Sequence, residues 1–395
     1  MIRREIPTRR LETLTDVLSK VEEILRRVRN EGDDALTQLA LQFDGVELNN
    51  LEAERWELEE GAERLDPEVK RSIDMVWNQL ESFHSLMKPP SMGGGRGGIE
   101  YGVNWVPIDR VGIYVPGGRK TYPSTLMMTG IPARVAGVKE IYVCTPVKTS
   151  VDPAIAYIAL KLNVDGVYKV GGAQAIGALA YGTQTIKKVD KIVGPGNVFV
   201  QAAKYLVSAE VGIDGIEGPT ELVVIADEIA NPTRVALDLM AQGEHGPGSV
   251  LVLISPSEAL LNKVEELLPQ EGTFYLIKSS DLEEAVNVAN ELAPEHLSLY
   301  VRNADELLRH VRNAGAITVG DTPPALLDYS AGPDHVLPTS GWARFRGGLT
   351  VYDFLKGIAY VRSKNPDREL IRAAMKLAEY EGFTVHSRSM GVRYE

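Results

Sequence analysis

The sequence predicts an α/β protein with two related Rossmann-like domains built on parallel sheets, a helical N-terminal segment and a small C-terminal extension. Three observations predict it. From residue 106 onward, short apolar runs of strand length alternate with helix-length amphipathic runs, which implies parallel strands joined by right-handed crossovers. A second series of the same kind starts near residue 220. The chain has 395 residues, enough for two or more domains, each with its own core.

Taken in order, residues 11–90 read as mostly helix. Leu14, Val17, Leu18, Val21, Ile24, Leu25 and Val28 fall at helical spacing, and "MKPP" stops the last helix of this region. Gly93, Gly95 and Gly98 of "SMGGGRGG" fit G-x-G-x-x-G, but a dinucleotide fingerprint needs a strand before it and a helix after it. Here a helix precedes and the strand-like "IEYGVNWVPI" follows, so a flexible turn is expected. The first series has strands "RVGIYV", "EIYVCT", "GVYKVG" and "KIVGPG", separated by "TLMMTGIPARVAG", "DPAIAYIALKLN" and "AQAIGALAYG" and followed by "VFVQAAKYLVSAE". The second has strands "ELVVIAD", "SVLVLIS", "TFYLIK", "LSLYV" and "AITVG", with helices "PTRVALDLMAQ", "SEALLNKVEELL", "DLEEAVNVANEL" and "ADELLRHVRNAG". From about 345 the pattern is irregular apart from one helix, "DRELIRAAMKLAEYEG", and the tail "FTVHSRSMGVRYE" has no obvious core of its own. The expected division is an N-terminal helical arm over 1–20, a first α/β domain from 21–110 with 221–345, a second over 111–220, and a tail over 346–395.

Composition narrows the function. The chain is 44% hydrophobic and 24% charged, as in ordinary soluble proteins, and its net charge is -12. No basic footprint is present to neutralise phosphates, which argues against a nucleic-acid or anionic-membrane partner. The single cysteine, Cys144, cannot form an internal disulfide, which fits a reducing compartment, and its strand-like surroundings suggest a buried thiol. "MIRREIPTRR" is basic, but no apolar signal region follows it. No apolar run approaches the ~20 residues of a membrane span, so a cytoplasmic protein is expected.

The polar residues at helix ends carry the chemistry. In "LMAQGEHGPGSV", Gln242 and His245 share one helix face. In "LAPEHLSLY", Glu295 and His296 sit at a helix-to-strand junction, where an acid and an imidazole can supply a base and an acid; a surface Glu beside a packed His is the alternative. "LLDYSAGPDHVLPT" offers Asp328 and His335 in a structured loop, and "YEGFTVH" offers Glu381 and His386. His84 and His310 lie in amphipathic helices and read as structural. Gln242, His245, Asp328 and His386 together can bind one divalent metal; nitrogen and oxygen donors suit zinc or manganese, and the lack of cysteine points away from a structural zinc. The scattered spacing alone does not announce such a site.

The junction residues of the second series lie at the amino edge of its sheet. "YVPGG", "VGGAQ" and "VGPGN" follow strands of the first series and lie at its carboxyl edge, where open α/β sheets bind ligands. A cleft between the two edges would bring both sets together, and the glycines there let backbone approach a phosphate.

At these residues the sequence resembles the histidinol dehydrogenase family over nearly its whole length. The resemblance is carried, in order, by "GIYVPGG", "VGGAQAIGALAYGT", "KIVGPGN", "AQGEHGP", "APEHL", "DYSAGPDHVLPT" and "EGFTVH". It implies NAD-dependent four-electron oxidation of L-histidinol to L-histidine through histidinal, the last step of histidine biosynthesis, with two NAD per turnover and one Zn(2+) per subunit. It implies that Gln242, His245, Asp328 and His386 are zinc ligands and that Glu295 and His296 are the catalytic pair. Tyr114, Gln174 and Asn197 match NAD contacts. Thr220, His335 and Glu381 match substrate positions, beside His296 and the zinc ligands. It further implies a homodimer in which the tail gives His386 to the partner's site. Thr220 stands where the family usually carries serine; it keeps the hydroxyl. The "GGGRGG" run does not fit the family pattern and receives no function. Two rival readings remain: a metal-dependent hydrolase using the Glu-His pair, and a catalytically inactive nucleotide-binding protein. A zinc alcohol dehydrogenase of the Cys₂His type is excluded by the single cysteine.

Overall fold

The computed structural model describes residues 2–7, 12–117, 121–246 and 248–394. Gly118 of "YVPGG", Pro247 of "AQGEHGP" and residues 8–10 of the basic start lie outside these. In chain order the elements begin with β1 (Ile2–Arg3), α1 (Glu12–Thr15), α2 (Leu18–Glu31), α3 (Asp33–Asp44), α4 (Arg55–Glu63), α5 (Pro67–Met87), β2 (Met92–Arg96) and β3 (Ile99–Pro107). The first alternating series is β4 (Arg110–Tyr114), α6 (Pro123–Ala136), β5 (Glu140–Cys144), α7 (Pro153–Leu162), β6 (Gly166–Tyr168), α8 (Gly172–Tyr181), β7 (Lys191–Val193), α9 (Val198–Val207) and β8 (Gly212–Ile213). The second is β9 (Glu221–Ala226), α10 (Pro232–Gly243), β10 (Val250–Ser255), α11 (Glu258–Leu267), β11 (Phe274–Lys278), α12 (Leu282–Leu292), β12 (His296–Tyr300), α13 (Ala304–Leu308), β13 (Ala316–Val319) and α14 (Pro324–Tyr329). The chain closes with β14 (Leu355–Ser363), α15 (Arg368–Tyr380) and α16 (Thr384–Tyr394).

Two compact units result: Met1–Met87 with Ile108–Phe354, and Lys88–Pro107 with Leu355–Glu395. The larger unit holds two parallel sheets. One has the order β6-β5-β4-β7-β8 and the other β1-β11-β10-β9-β12-β13. Counted within each series, both run 3-2-1-4-5, the order of a Rossmann-type half, and β1 extends the second at its edge. The two domains are thus related by topology where no sequence repeat is visible.

The apolar runs explain the layers. All six residues of β9 are buried, as a parallel strand covered on both faces requires. Leu222, Val224 and Ala226 face a core with α10 and α11, while Val223 and Ile225 face one with α12 and α13. Side-chain caps start the helices: Asp152 caps α7, Asn197 α9, Asn231 α10 and Asp281 α12.

The packing differs from the sequence-based division in three places. Residues 2–3 are not part of a helical arm; they form β1 on the six-stranded sheet. The helices of 21–110 pack on the other sheet's layer: α2 against α8 and α9, α3 against α8, α4 against α7 and α5 against α6. The buried stripe Val21, Ile24, Leu25 and Val28 finds its partner where Gly177 leaves room, since a Cβ there would lie 2.9 Å from Leu25 Cδ2. An amphipathic stripe states that a face is buried and does not name what buries it. Third, residues 346–354 belong to the larger unit, and 88–107 join the tail.

The smaller unit is an antiparallel sheet, β14-β3-β2, with the helices α15 and α16 packed on each other. The "GGGRGG" run is therefore strand β2 and a hairpin turn, not a flexible loop. Gly97 and Gly98 have φ of 59° and 73°, the two left-handed positions of a tight hairpin, and a Cβ on Gly98 would lie 2.1 Å from the Asn365 carbonyl oxygen.

His84, on α5, is fully buried, and neither ring nitrogen has a hydrogen-bond partner among the described residues. Burial pushes its imidazole down to about 4 from 6.5. The unfolded chain therefore takes this proton first as pH falls, so the stability is present above about 6.5 and is lost towards 4. His84→Leu should remove roughly 2 kcal/mol of the stability loss between pH 7 and 5. Denaturant midpoints measured at both pH values check this; an unchanged pH dependence in the variant would contradict it.

Candidate active site

The parallel pairing of β12 with β9 places His296 opposite Leu222. Glu295, one residue earlier, therefore lies beside Thr220 and Glu221 at the amino edge of the sheet. One carboxylate oxygen, Oε2, accepts the Glu221 N–H at 2.9 Å and the Thr220 hydroxyl. The Thr220 hydroxyl in turn accepts from the Gln242 side-chain amide. Gln242 sits in the last turn of α10, so amide, hydroxyl and carboxylate form one relay across three segments. The chain can pass beneath Glu295 because residue 315 is glycine: a Cβ there would lie 2.6 Å from the Glu295 carbonyl oxygen. The Gly315 and Ala316 N–H groups donate to Pro294 and Glu295 carbonyls, each at 2.9 Å, and tie the junction to β13.

His296 is 4% exposed. Its Nε2 lies 2.8 Å from Asp328 Oδ1, and its Nδ1 lies 3.6 Å from Glu295 Oε2. Burial works against a charged ring here, but the Asp328 hydrogen bond and the Glu295 carboxylate outweigh it and push the imidazole up to about 10. Burial raises the Asp328 carboxyl, yet the His296 hydrogen bond and charge hold it below the ordinary carboxylate range, helped by His335 and His245. His335 Nδ1 is 2.8 Å from the Asp328 carbonyl oxygen. A carbonyl only accepts, so Nδ1 carries the proton. Burial pushes the His335 ring down, which leaves Nε2 as an acceptor in the neutral ring.

Thr220, Gln242, Glu295, His296, Asp328 and His335 thus come together at one sheet edge, with His245 exposed just beyond the end of α10. Among the described residues no group of three His, Cys, Asp or Glu side chains stands as a metal cluster. Of the four residues considered as ligands, this unit holds Gln242, His245 and Asp328. The donor chemistry fits a borderline divalent ion: the Gln242 NH₂ is spent on Thr220, which leaves its carbonyl oxygen as the donor, beside an imidazole and a carboxylate. Glu381, which caps the end of α15, and His386, on α16, lie in the smaller unit.

Tyr114, Gln174 and Asn197 gather at the carboxyl edge of the five-stranded sheet. The Tyr114 hydroxyl accepts from the Gly172 N–H at 3.1 Å, and burial pushes it up to about 12, so it stays neutral. Gln174 is 2% exposed on α8. The Asn197 side-chain oxygen accepts from the Phe199 and Val200 N–H groups at 3.0 and 3.1 Å. A cavity of about 620 Å³ opens at the same edge, lined by Thr121, Thr145, Lys148, Thr149 and Asp152 among others. It lies after β5, not beside Glu295 and His296. Sequence reasoning did not single out this cavity or Glu221, whose own carboxylate accepts from the Ser340 N–H at 3.1 Å. The hydroxyl-rich "TPVKTSVD" after an apolar strand was the available signal for the cavity.

Comparison with known proteins points to one family. The sequence profile described as histidinol dehydrogenase matches residues 8–394. The chain is 55% identical to histidinol dehydrogenase of Sulfurisphaera tokodaii over 397 aligned positions, covering 100% of both chains. It is 55% identical to that of Sulfolobus acidocaldarius over 396, again with full coverage of both. A crystal structure of histidinol dehydrogenase from Elizabethkingia anophelis superposes with a TM-score of 0.93 at 33% identity, covering 100% of this chain and 97% of that one. The chain belongs to the histidinol dehydrogenase family.

Proposed function

We propose that this protein oxidises L-histidinol to L-histidine through histidinal, with NAD as acceptor in both steps and one zinc ion per subunit. The observation that carries the reading is the cluster at the amino edge of the six-stranded sheet: a carboxylate fixed by two donors beside a buried imidazole. The readings as a hydrolase or an inactive nucleotide-binding protein lose their ground, because the chain belongs to the histidinol dehydrogenase family.

Gln242, His245 and Asp328, with His386 from the partner subunit's copy of the tail, would hold the zinc. The zinc would fix the substrate's imidazole and amino nitrogens, and the two NAD molecules would accept the two hydrides. As a ligand, Asp328 would offer less of its charge to His296, whose ring would take the proton of the substrate hydroxyl as hydride leaves. Glu295 deprotonates a water that adds to the bound aldehyde, and hydride loss from the hydrate gives the carboxylate. His335 and Glu381 contact the substrate, and Tyr114, Gln174 and Asn197 shape the dinucleotide site. The 620 Å³ cavity at that edge supports the assignment, because open α/β sheets bind ligands outside the carboxyl ends of their strands. Retaining the aldehyde between steps prevents loss of a reactive intermediate.

The smaller unit supports a homodimer. Tyr380, Val385, Val392 and Val361 are 88%, 76%, 75% and 72% exposed, more large apolar surface than so small a unit leaves bare without a partner. Among the described residues no helix is long and apolar enough to cross a membrane. A cytoplasmic location, with no nucleic-acid or membrane partner, completes the proposal.

Glu295→Gln should impair the aldehyde-to-acid step more than the alcohol step, by ~10²–10⁴-fold, because only the second needs an activated water. Rates with histidinol and with histidinal as starting substrate distinguish the steps; equal losses would remove Glu295 from the role of base.

His386→Ala and Asp328→Ala should each be inactive alone, yet complement in mixed dimers. One site of each hybrid then receives intact Asp328 from one chain and intact His386 from the other. With random mixing about half the dimers are hybrids with one good site each, so ~25% of wild-type activity should return. Confirmed subunit exchange without recovery would show that each site takes all its ligands from one chain.

A further inference from the structure

Lys204, on α9, is fully buried, and nothing in the proposed chemistry uses it. A buried ammonium persists only when its charge and its three N–H donors are matched. They are: Nζ lies 2.5 Å from Asp214, 3.0 Å from Glu217 and 3.1 Å from the Gly194 carbonyl oxygen. The partners come from two different segments. Gly194 opens the "GPGN" loop after β7, and Asp214 and Glu217 lie in the connector that leaves β8 for the second sheet.

The same cluster holds each segment a second time. The Gly194 N–H donates to Asp214 Oδ2 at 2.7 Å, so both backbone groups of Gly194 are taken. Gln201, on the same face of α9, donates to the Gly196 carbonyl at 3.3 Å and accepts the Glu217 N–H at 2.9 Å. Gly194 itself, at φ 118°, is pressed against β4: a Cβ there would lie 2.1 Å from the Tyr114 carbonyl oxygen. On the other side the connector runs three residues past Glu217 to Thr220 and then Glu221, the two donors to Glu295. One buried cation therefore joins the loop beside Tyr114 and Asn197 to the segment that aims Glu295.

We propose that Lys204 is a positioning residue that locks the Gly194–Asn197 loop and the 214–221 connector into one piece, so that the dinucleotide edge and the Glu295 edge keep a fixed spacing. The proposal rests on the reading of the first edge as the dinucleotide site. It predicts that loosening the cluster acts on NAD far more than on histidinol, because Gln242, His245, His296, Asp328 and His335 lie outside both segments and Thr220 keeps its own bonds to Gln242 and Glu295.

The test uses the zinc-loaded, full-length enzyme with Lys204→Met and the nearly isosteric Asp214→Asn, which keeps only one acceptor oxygen. Leu261→Ala, in the remote core between α11 and the six-stranded sheet, serves as a control for simple loss of stability. Both cluster variants should raise the KM for NAD by about tenfold to a hundredfold while the KM for histidinol stays within about threefold. Amide exchange should rise together in 194–197 and 214–221. Leu261→Ala should lower Tm and leave the KM for NAD within about threefold. Wild-type KM for NAD in the folded variants, exchange rising in one segment alone, or an equal effect from Leu261→Ala would overturn the proposal. If Lys204→Met does not fold, Asp214→Asn decides by the same criteria. A wild-type enzyme that leaves NAD unreduced with histidinol would overturn the functional reading instead, and the exchange data would still decide whether Lys204 couples the two segments.

Discussion

The site depends on a strand register. Because β12 pairs with β9 so that His296 faces Leu222, Glu295 arrives beside the Thr220 hydroxyl and the Glu221 N–H. A shift of one residue would turn His296 to the other face of the sheet and remove Glu295 from both donors. The register is enforced by burial on both faces: β9 contributes alternate residues to two separate cores, and β12 gives Leu297 and Leu299 to one and Tyr300 to the other. The geometry of the candidate site is thus a consequence of core packing, with Gly315 leaving the space through which the junction passes.

The second organising feature is repetition. Both sheets carry the 3-2-1-4-5 order, yet the proposed chemistry uses opposite edges: the carboxyl edge of one for the dinucleotide and the amino edge of the other for the substrate. The connector after β8 is a short covalent link between them. It holds Asp214 and Glu217 at one end and Thr220 and Glu221 at the other, so only a few residues separate the Lys204 cluster from the donors to Glu295. The relay from Gln242 through Thr220 to Glu295 adds a further coupling, since the residue assigned to the metal and the carboxylate assigned to the water share one hydroxyl. Threonine in place of serine preserves that relay.

Much of this was legible in the sequence. Runs such as "ELVVIA" and "VLVLIS" are apolar on both strand faces, and only a sheet covered by helices on both sides accommodates them. The adjacency of Glu295 and His296 at a helix-to-strand junction offered a candidate acid–base pair, beside the plainer reading of a surface Glu next to a packed His. Other features left no local trace. β14 pairs with β3 from Leu355 against Pro107, and no window of sequence contains both strands. The glycines of β2 read as a turn because glycine is depleted from strands, yet Gly102 and the hairpin leave little room for larger residues. Lys204 reads as one more charged residue on an amphipathic helix. Its sequence signal was the common face it shares with Asn197 and Gln201, followed within thirteen residues by three acids, Glu210, Asp214 and Glu217.

In the proposed reaction one site carries histidinol through both oxidations without releasing the aldehyde. The direct measurement is the yield of reduced nicotinamide per histidine formed, with an aldehyde trap present in solution. Two reduced nicotinamides for each histidine and no trapped histidinal are the expected result. One reduced nicotinamide per histidinol consumed, with the aldehyde recovered in the trap, would contradict it.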